Sequence, residues 1–174
     1  MKKENKVKLK KNIIDVIEGF VKAVIYFVIA LLIVKYVAQP IKVNGSSMYP
    51  NLHDGDFGIS AKHFTEDDIE RFDIVIIDTG ELSIIKRVIG LPGDDIVYKN
   101  NVLYVNGEEV EETFLDKTNV YTEDFYCHVE KGHFFCLGDN RENSKDSRYY
   151  GTFGFEQIES KGVFLVFPLK GSIE

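Results

Sequence analysis

The sequence predicts a mainly β domain carried behind one N-terminal transmembrane helix. Three observations point there. A lysine-flanked apolar stretch ends just before Pro40, the chain beyond it breaks into short β-branched and aromatic runs, and the charge divides at the same place. Residues 1–40 carry a net +5 and residues 41–174 a net −12, within a total of −7 over 174 residues. So acidic a body repels phosphate backbones, and nucleic acid is not expected as a partner. With 44% hydrophobic and 28% charged residues, the composition is that of a folded protein and excludes wholesale disorder.

The anchor comes first in the chain. Lys2, Lys3, Lys6, Lys8, Lys10 and Lys11 precede an apolar stretch from Phe20 to Ala38, broken only by Lys22 and Lys35. As a helix it spans roughly 28 Å, close to the hydrocarbon thickness of a bilayer. Lys22 and Lys35 lie near its ends, where their stems reach the headgroups. The expected division is a basic cytoplasmic segment over 1–12, an anchor over 13–38 and a β domain over 39–174. Lysines before the span keep that end cytoplasmic, so the protein is expected in the cell membrane as a single-pass chain with its body on the outer face. A cleavable signal sequence and an amphipathic helix lying on the membrane surface are the alternatives; against the first, Tyr36 stands where a small residue would be needed for cleavage after Ala38.

Beyond Pro40, strands are expected over 73–78, 83–89, 95–98, 102–105 and 162–167, each rich in β-branched or aromatic residues. Asn100-Asn101 and Asn106-Gly107 read as tight turns. Thr65, followed by Asp68, suits the cap of one short helix ahead of Ile69 and Phe72. Cys127 and Cys136 both lie in the exported part. A two-residue hairpin loop at Lys131-Gly132 would set them opposite each other, a three-residue loop would separate them, and two free buried thiols are the simpler alternative.

Four segments are candidates for chemistry. His53, His63, His128 and His133 show no metal-ligand spacing, and no glycine-rich phosphate loop is present, so no metal or cofactor is expected. Ser83-Ile-Ile-Lys86 has the S-x-x-K spacing, which serves catalysis on a helix; in a strand these side chains point to opposite faces. Lys86 would share its face with Ile84 and Val88, and burial there would lower its pKa toward that of a general base. An edge lysine reaching water is the alternative. Asn44 to Leu52 is a bend in which Gly45 and Pro50 could present a serine hydroxyl and backbone N–H groups, or simply an ordinary Gly-Ser loop. Gly138 to Arg148 is a dense polar run directly after Phe134-Phe-Cys-Leu137.

Taken together, Gly45-Ser-Ser-Met-Tyr-Pro50, Phe72-Asp-Ile-Val75, Lys86-Arg-Val-Ile-Gly-Leu-Pro-Gly-Asp94 and Gly138-Asp-Asn-Arg-Glu-Asn-Ser-Lys-Asp-Ser-Arg148 resemble type I signal peptidases of the short, single-anchor kind. The resemblance implies a twisted, largely antiparallel β catalytic domain, of a type shared with self-cleaving repressors. It implies a serine endopeptidase that removes signal peptides from secretory preproteins at the lipid bilayer. Carried over by position, Ser47 is the nucleophile and Lys86 the base, which takes the serine proton. Ser144 orients the lysine nitrogen, Asp146 and Arg148 form a bracing ion pair, and Asp139 and Arg141 belong to the same structural box. The resemblance also implies small side chains one and three residues before the cut. Two positions depart from the pattern: Gly45 stands where some members have a serine that helps hold the oxyanion, and Phe72 where the family often has glycine. Two rival readings remain: a sortase-like transpeptidase using Cys136, His133 and Arg141, and a silent anchored binding module.

Overall fold

The computed structural model describes residues 2–115, 120–167 and 171–173, with side chains from residue 12 through the first two ranges. The chain falls into two units, Met1–Val37 and Ala38–Glu174. The first is one helix, α1 (Lys2–Tyr36). Its Asn12–Tyr36 portion contains an 18-residue stretch with a mean hydropathy of 2.4 and is long and apolar enough to cross a membrane. Apolar side chains are exposed all round it, a pattern that calls for lipid or other apolar cover. The lysine side chains of 2–11, expected to face the cytoplasm, lie outside the described residues. The helix stops at Tyr36, short of the expected 38, because Ala38 is already paired to Ala61 and proline restricts the residue before it to extended backbone.

The second unit contains β1 (Ala38–Lys42), β2 (Phe57–Ala61), β3 (Ile74–Asp78), β4 (Ser83–Gly90), β5 (Asp95–Lys99), β6 (Val102–Val105) and β7 (Glu108–Val110). These are followed by β8 (Phe125–His128), β9 (His133–Leu137), α2 (Ser147–Tyr150), β10 (Phe153–Gly154), β11 (Ile158–Phe167) and β12 (Gly171–Ile173). All pairings are antiparallel among the described residues. The larger sheet runs β1-β2-β11-β3-β4-β9-β10, with β12 on β11, and the smaller runs β7-β6-β5-β8. The mainly β, antiparallel fold expected from the sequence is therefore present.

The details depart from expectation where long-range contacts decide. Pro40 lies inside β1, which tolerates it because β1 is an edge strand paired only to β2. The strand expected over 162–167 starts at Ile158, with Gly162 (φ +70°) in the register shift between Lys161 and Phe164. The turn residues Asn100, Asn101, Asn106 and Gly107 all have positive φ, as type I′ turns require. The short helix expected after Thr65 is one 3₁₀ turn, Glu66–Asp68, although Asp68 Oδ2 does accept the Thr65 N–H at 2.7 Å. The 127/136 hairpin does not form. Val129 bonds to Asp94 and Gly93, carrying β8 onto β5 while β9 pairs β4, and both cysteines are free.

β3 and β4 are covered on both faces, which explains the unbroken Ile74-Val-Ile-Ile run. Ile74, Ile76 and Ile85 pack with Ile41, Met48, Leu52 and Leu165 on one face. On the other, Val75, Ile77, Ile84 and Val88 pack with Phe134, Cys136, Phe153 and Ile158. Ile89, Ile96, Tyr98, Leu103 and Leu137 join the smaller sheet to β9.

Candidate active site

The segment after β1 is held from both sides. Met48 and Leu52 are sunk into the core, and Gly45, at φ +88°, donates its N–H to Asp54 Oδ1 at 2.7 Å. Between these fixed points lie Ser46 and Ser47. Asn140 donates its backbone N–H to the Ser47 carbonyl and its side-chain amide to the Ser46 carbonyl, both at 3.0 Å. Asn143 Nδ2 donates to Ser46 Oγ at 3.0 Å. The Ser47 N–H itself makes no hydrogen bond among the described residues, so it remains available to a developing oxyanion.

Lys86 approaches from β4. Its strand neighbours alternate between the two packed faces, and the side chain is 3% exposed. Nζ lies 2.8 Å from Ser47 Oγ and donates to the Ile85 carbonyl at 2.7 Å. Burial pushes its pKa down to about 8, partly opposed by the negative charge of Asp146. Burial among apolar neighbours wins because no carboxylate forms an ion pair with Nζ among the described residues.

The polar run after β9 surrounds this pair, but its members disperse to different partners. Asp139 forms a bidentate pair with Arg87, at 2.9 Å for both bonds and with neither side chain exposed, and also accepts Asn51 Nδ2 at 2.8 Å. The Arg141 guanidinium turns away from that pair and donates to the Gly138 carbonyl at 3.0 Å, to Glu112 at 2.6 Å and to the Tyr98 hydroxyl, while its backbone N–H donates to the Asp139 carbonyl at 3.0 Å. Asp146 binds Arg148 at 2.9 and 2.8 Å. Burial works to raise the Asp146 carboxyl, but the Arg148 and Gly138 hydrogen bonds outweigh it and hold it below the usual range. Ser144 Oγ lies near enough to Asp146 to favour its carboxylate, yet it is buried with no hydrogen bond of normal geometry and does not bond to Lys86. Gly138 sits where no side chain fits, since a Cβ would stand 2.2 Å from Ser144 Oγ and 2.5 Å from the Ser47 carbonyl oxygen.

Sequence reasoning gave no individual role to Asn51, Tyr98, Glu112, Asn140 or Asn143. The asparagines sat inside quoted motifs, while Glu112 ends an acidic stretch from Glu108 that reads as solvated surface. Among the described residues, no group of three or more His, Cys, Asp or Glu side chains is placed to hold a metal ion.

Residues 16–167 match the family described as signal peptidase, peptidase S26. The chain belongs to this signal peptidase family. It is 38% identical to signal peptidase I S of Bacillus subtilis (strain 168) over 97% of this chain and 96% of that one. It is 42% identical to signal peptidase I of Bacillus amyloliquefaciens, covering 84% and 83%. Signal peptidase IB of Staphylococcus aureus (strain COL) is 31% identical, covering 88% and 91%. The crystal structure of a signal peptidase I from Enterococcus faecalis V583 aligns with a TM-score of 0.51 at 36% identity, over 53% of this chain and 95% of that one.

Family membership gives the departure at Phe72 a physical reading. Phe72 has φ +77°, the left-handed region that favours glycine, so a glycine there would meet no backbone penalty. Phe72 holds the conformation through its N–H to the Val88 carbonyl at 2.7 Å, its carbonyl to Arg87 Nη1 at 2.8 Å, and its ring against Phe114. The sortase-like reading loses its nucleophile: Cys136 is fully buried in the core and burial pushes its thiol up, away from the reactive thiolate.

Proposed function

We propose that this member of the family removes N-terminal signal peptides from exported preproteins, with Ser47 as nucleophile and Lys86 as general base. One observation carries the reading: a buried amine with a pKa of about 8 lies 2.8 Å from a serine oxygen. At pH 7 about a tenth of such amines are neutral. The neutral Nζ accepts the Ser47 proton as Oγ attacks the scissile carbonyl, and the Ser47 N–H stabilises the oxyanion. Nζ then passes that proton to the leaving amine nitrogen, the C–N bond breaks, and an ester on Ser47 remains. Water attacks the ester, Nζ takes its proton, and Ser47 is released with its hydroxyl restored. The Asp146 charge acts on the amine and Arg148 holds Asp146 in place, while the Asp139–Arg87 pair braces the strand that carries it.

The substrate has a natural lane. β4 pairs with β9 only from Arg87 onward, so among the described residues the backbone edge of Ser83–Lys86 on that side is unpaired and leads to the dyad. An extended cleavage region can add to it by main-chain hydrogen bonds. The basic N-terminus stays cytoplasmic, α1 lies in the bilayer and the β domain works on the outer face, close to where signal peptides emerge. Purified full-length protein should process a preprotein, and Ser47→Ala, Lys86→Ala and Lys86→Arg should each lose processing at least about a thousandfold, the arginine because it stays protonated. Processing retained in either alanine variant would sink the assignment.

A further inference from the structure

A polypeptide lying along the Ser83–Lys86 edge cannot run straight on past the dyad. From Arg87 that lane is filled by β9, through the pairs Arg87 with Leu137 and Val88 with Cys136. The end of the lane is closed at Gly138 and Asn140, which pack and bond against the Ser47 carbonyl. The residues that follow the cut must therefore turn outward across the Asn140–Ser144 segment. Glu142 and Ser144 of that segment line a cleft of about 480 Å³, together with Tyr121, Glu123, Arg148 and Tyr149. The volume is that of a ligand site, roughly 300–1,000 Å³.

The cleft has a definite chemistry. Tyr121 and Tyr149, 54% and 70% exposed, give it amphipathic walls of the sort that bind peptide. Its arginines are already engaged, Arg148 with Asp146 and Arg141 with Glu112. Glu123 and Glu142 form no ion pair among the described residues, and Lys145 stacks on the Tyr149 ring.

We propose that this cleft is the subsite for the first residues of the mature chain, and that its carboxylates favour basic side chains there over acidic ones. The inference rests on the Ser47–Lys86 endopeptidase reading.

The test uses the detergent-solubilised full chain and three preproteins identical except at the second to fourth residues after the cut, which are all Ala, all Lys or all Glu. The wild type should cleave the Lys form with a kcat/KM about tenfold above the Glu form, a difference of about 1.4 kcal/mol. The Glu123→Lys/Glu142→Lys double variant should reverse that order, and Glu123→Gln/Glu142→Gln should bring the ratio near one. Because the ratio is internal to each enzyme, a general loss of activity leaves it readable in the milder pair. A Lys-to-Glu ratio that both double variants leave unchanged overturns the subsite. Failure of the wild type to cleave even the all-Ala preprotein, with Ser47→Ala as the blank, overturns the endopeptidase reading itself and is a distinct result.

Discussion

Lys86 carries a cost that only its chemistry justifies. A lysine titrating near 8 when folded and near 10.5 when unfolded binds fewer protons in the native state between those values. Stability from this group therefore rises as pH climbs from about 8 to 10.5, and below 8 the full penalty applies, about 3 kcal/mol. Lys86→Met should abolish processing yet raise stability at pH 7 by a few kcal/mol, with the gain fading toward pH 10.5; thermal unfolding across pH measures it. The asparagine clamp predicts a different signature. Asn143→Ala frees Ser46 Oγ and loosens the Ser47 N–H, so kcat should fall about tenfold with KM little changed, and adding Ser46→Ala should cost little more. Additive losses in steady-state kinetics would argue against the clamp. Ser47 and Lys86 were legible because motif and strand pattern name them. Asn143 and Glu112 were not, since an amide or carboxylate gains its role only from the partner that tertiary structure brings to it.

Among the elements, β3 and β4 read clearly because both faces are buried and β-branched residues fill them. β1 and β2 were hidden, one by Pro40 and the other by exposed aromatic and small residues whose partners lie far along the chain. The turn into β3 offers a test. At Phe72 the backbone favours glycine while the ring is packed on Phe114, so the two effects oppose. Phe72→Gly should be more stable than Phe72→Ala by about 1 kcal/mol, because only alanine keeps the left-handed strain. Chemical denaturation of the pair measures this, and alanine equal to or above glycine would contradict the strain.

Across the chain, the change in charge and texture near Pro40 marks the two units. The sheet order was beyond sequence reasoning, since β11 lies between β2 and β3 and β9 joins β4 by pairings between strands far apart in the chain. Those crossings assemble the site: β1 leads into Ser47, β4 brings Lys86, and the segment after β9 locks both. Arg141, tied to Glu112 and Tyr98, fastens that segment to the smaller sheet, so the second sheet supports the chemistry without touching it.

The most direct measurement is the pH dependence of kcat for preprotein cleavage by the full chain. A desolvated Lys86 acting as base predicts a rate that rises about tenfold per pH unit and levels off near pH 8, following the amine as it loses its proton. A rate still climbing toward pH 10, or one flat from pH 6 to 9, would mean that a different group accepts the serine proton.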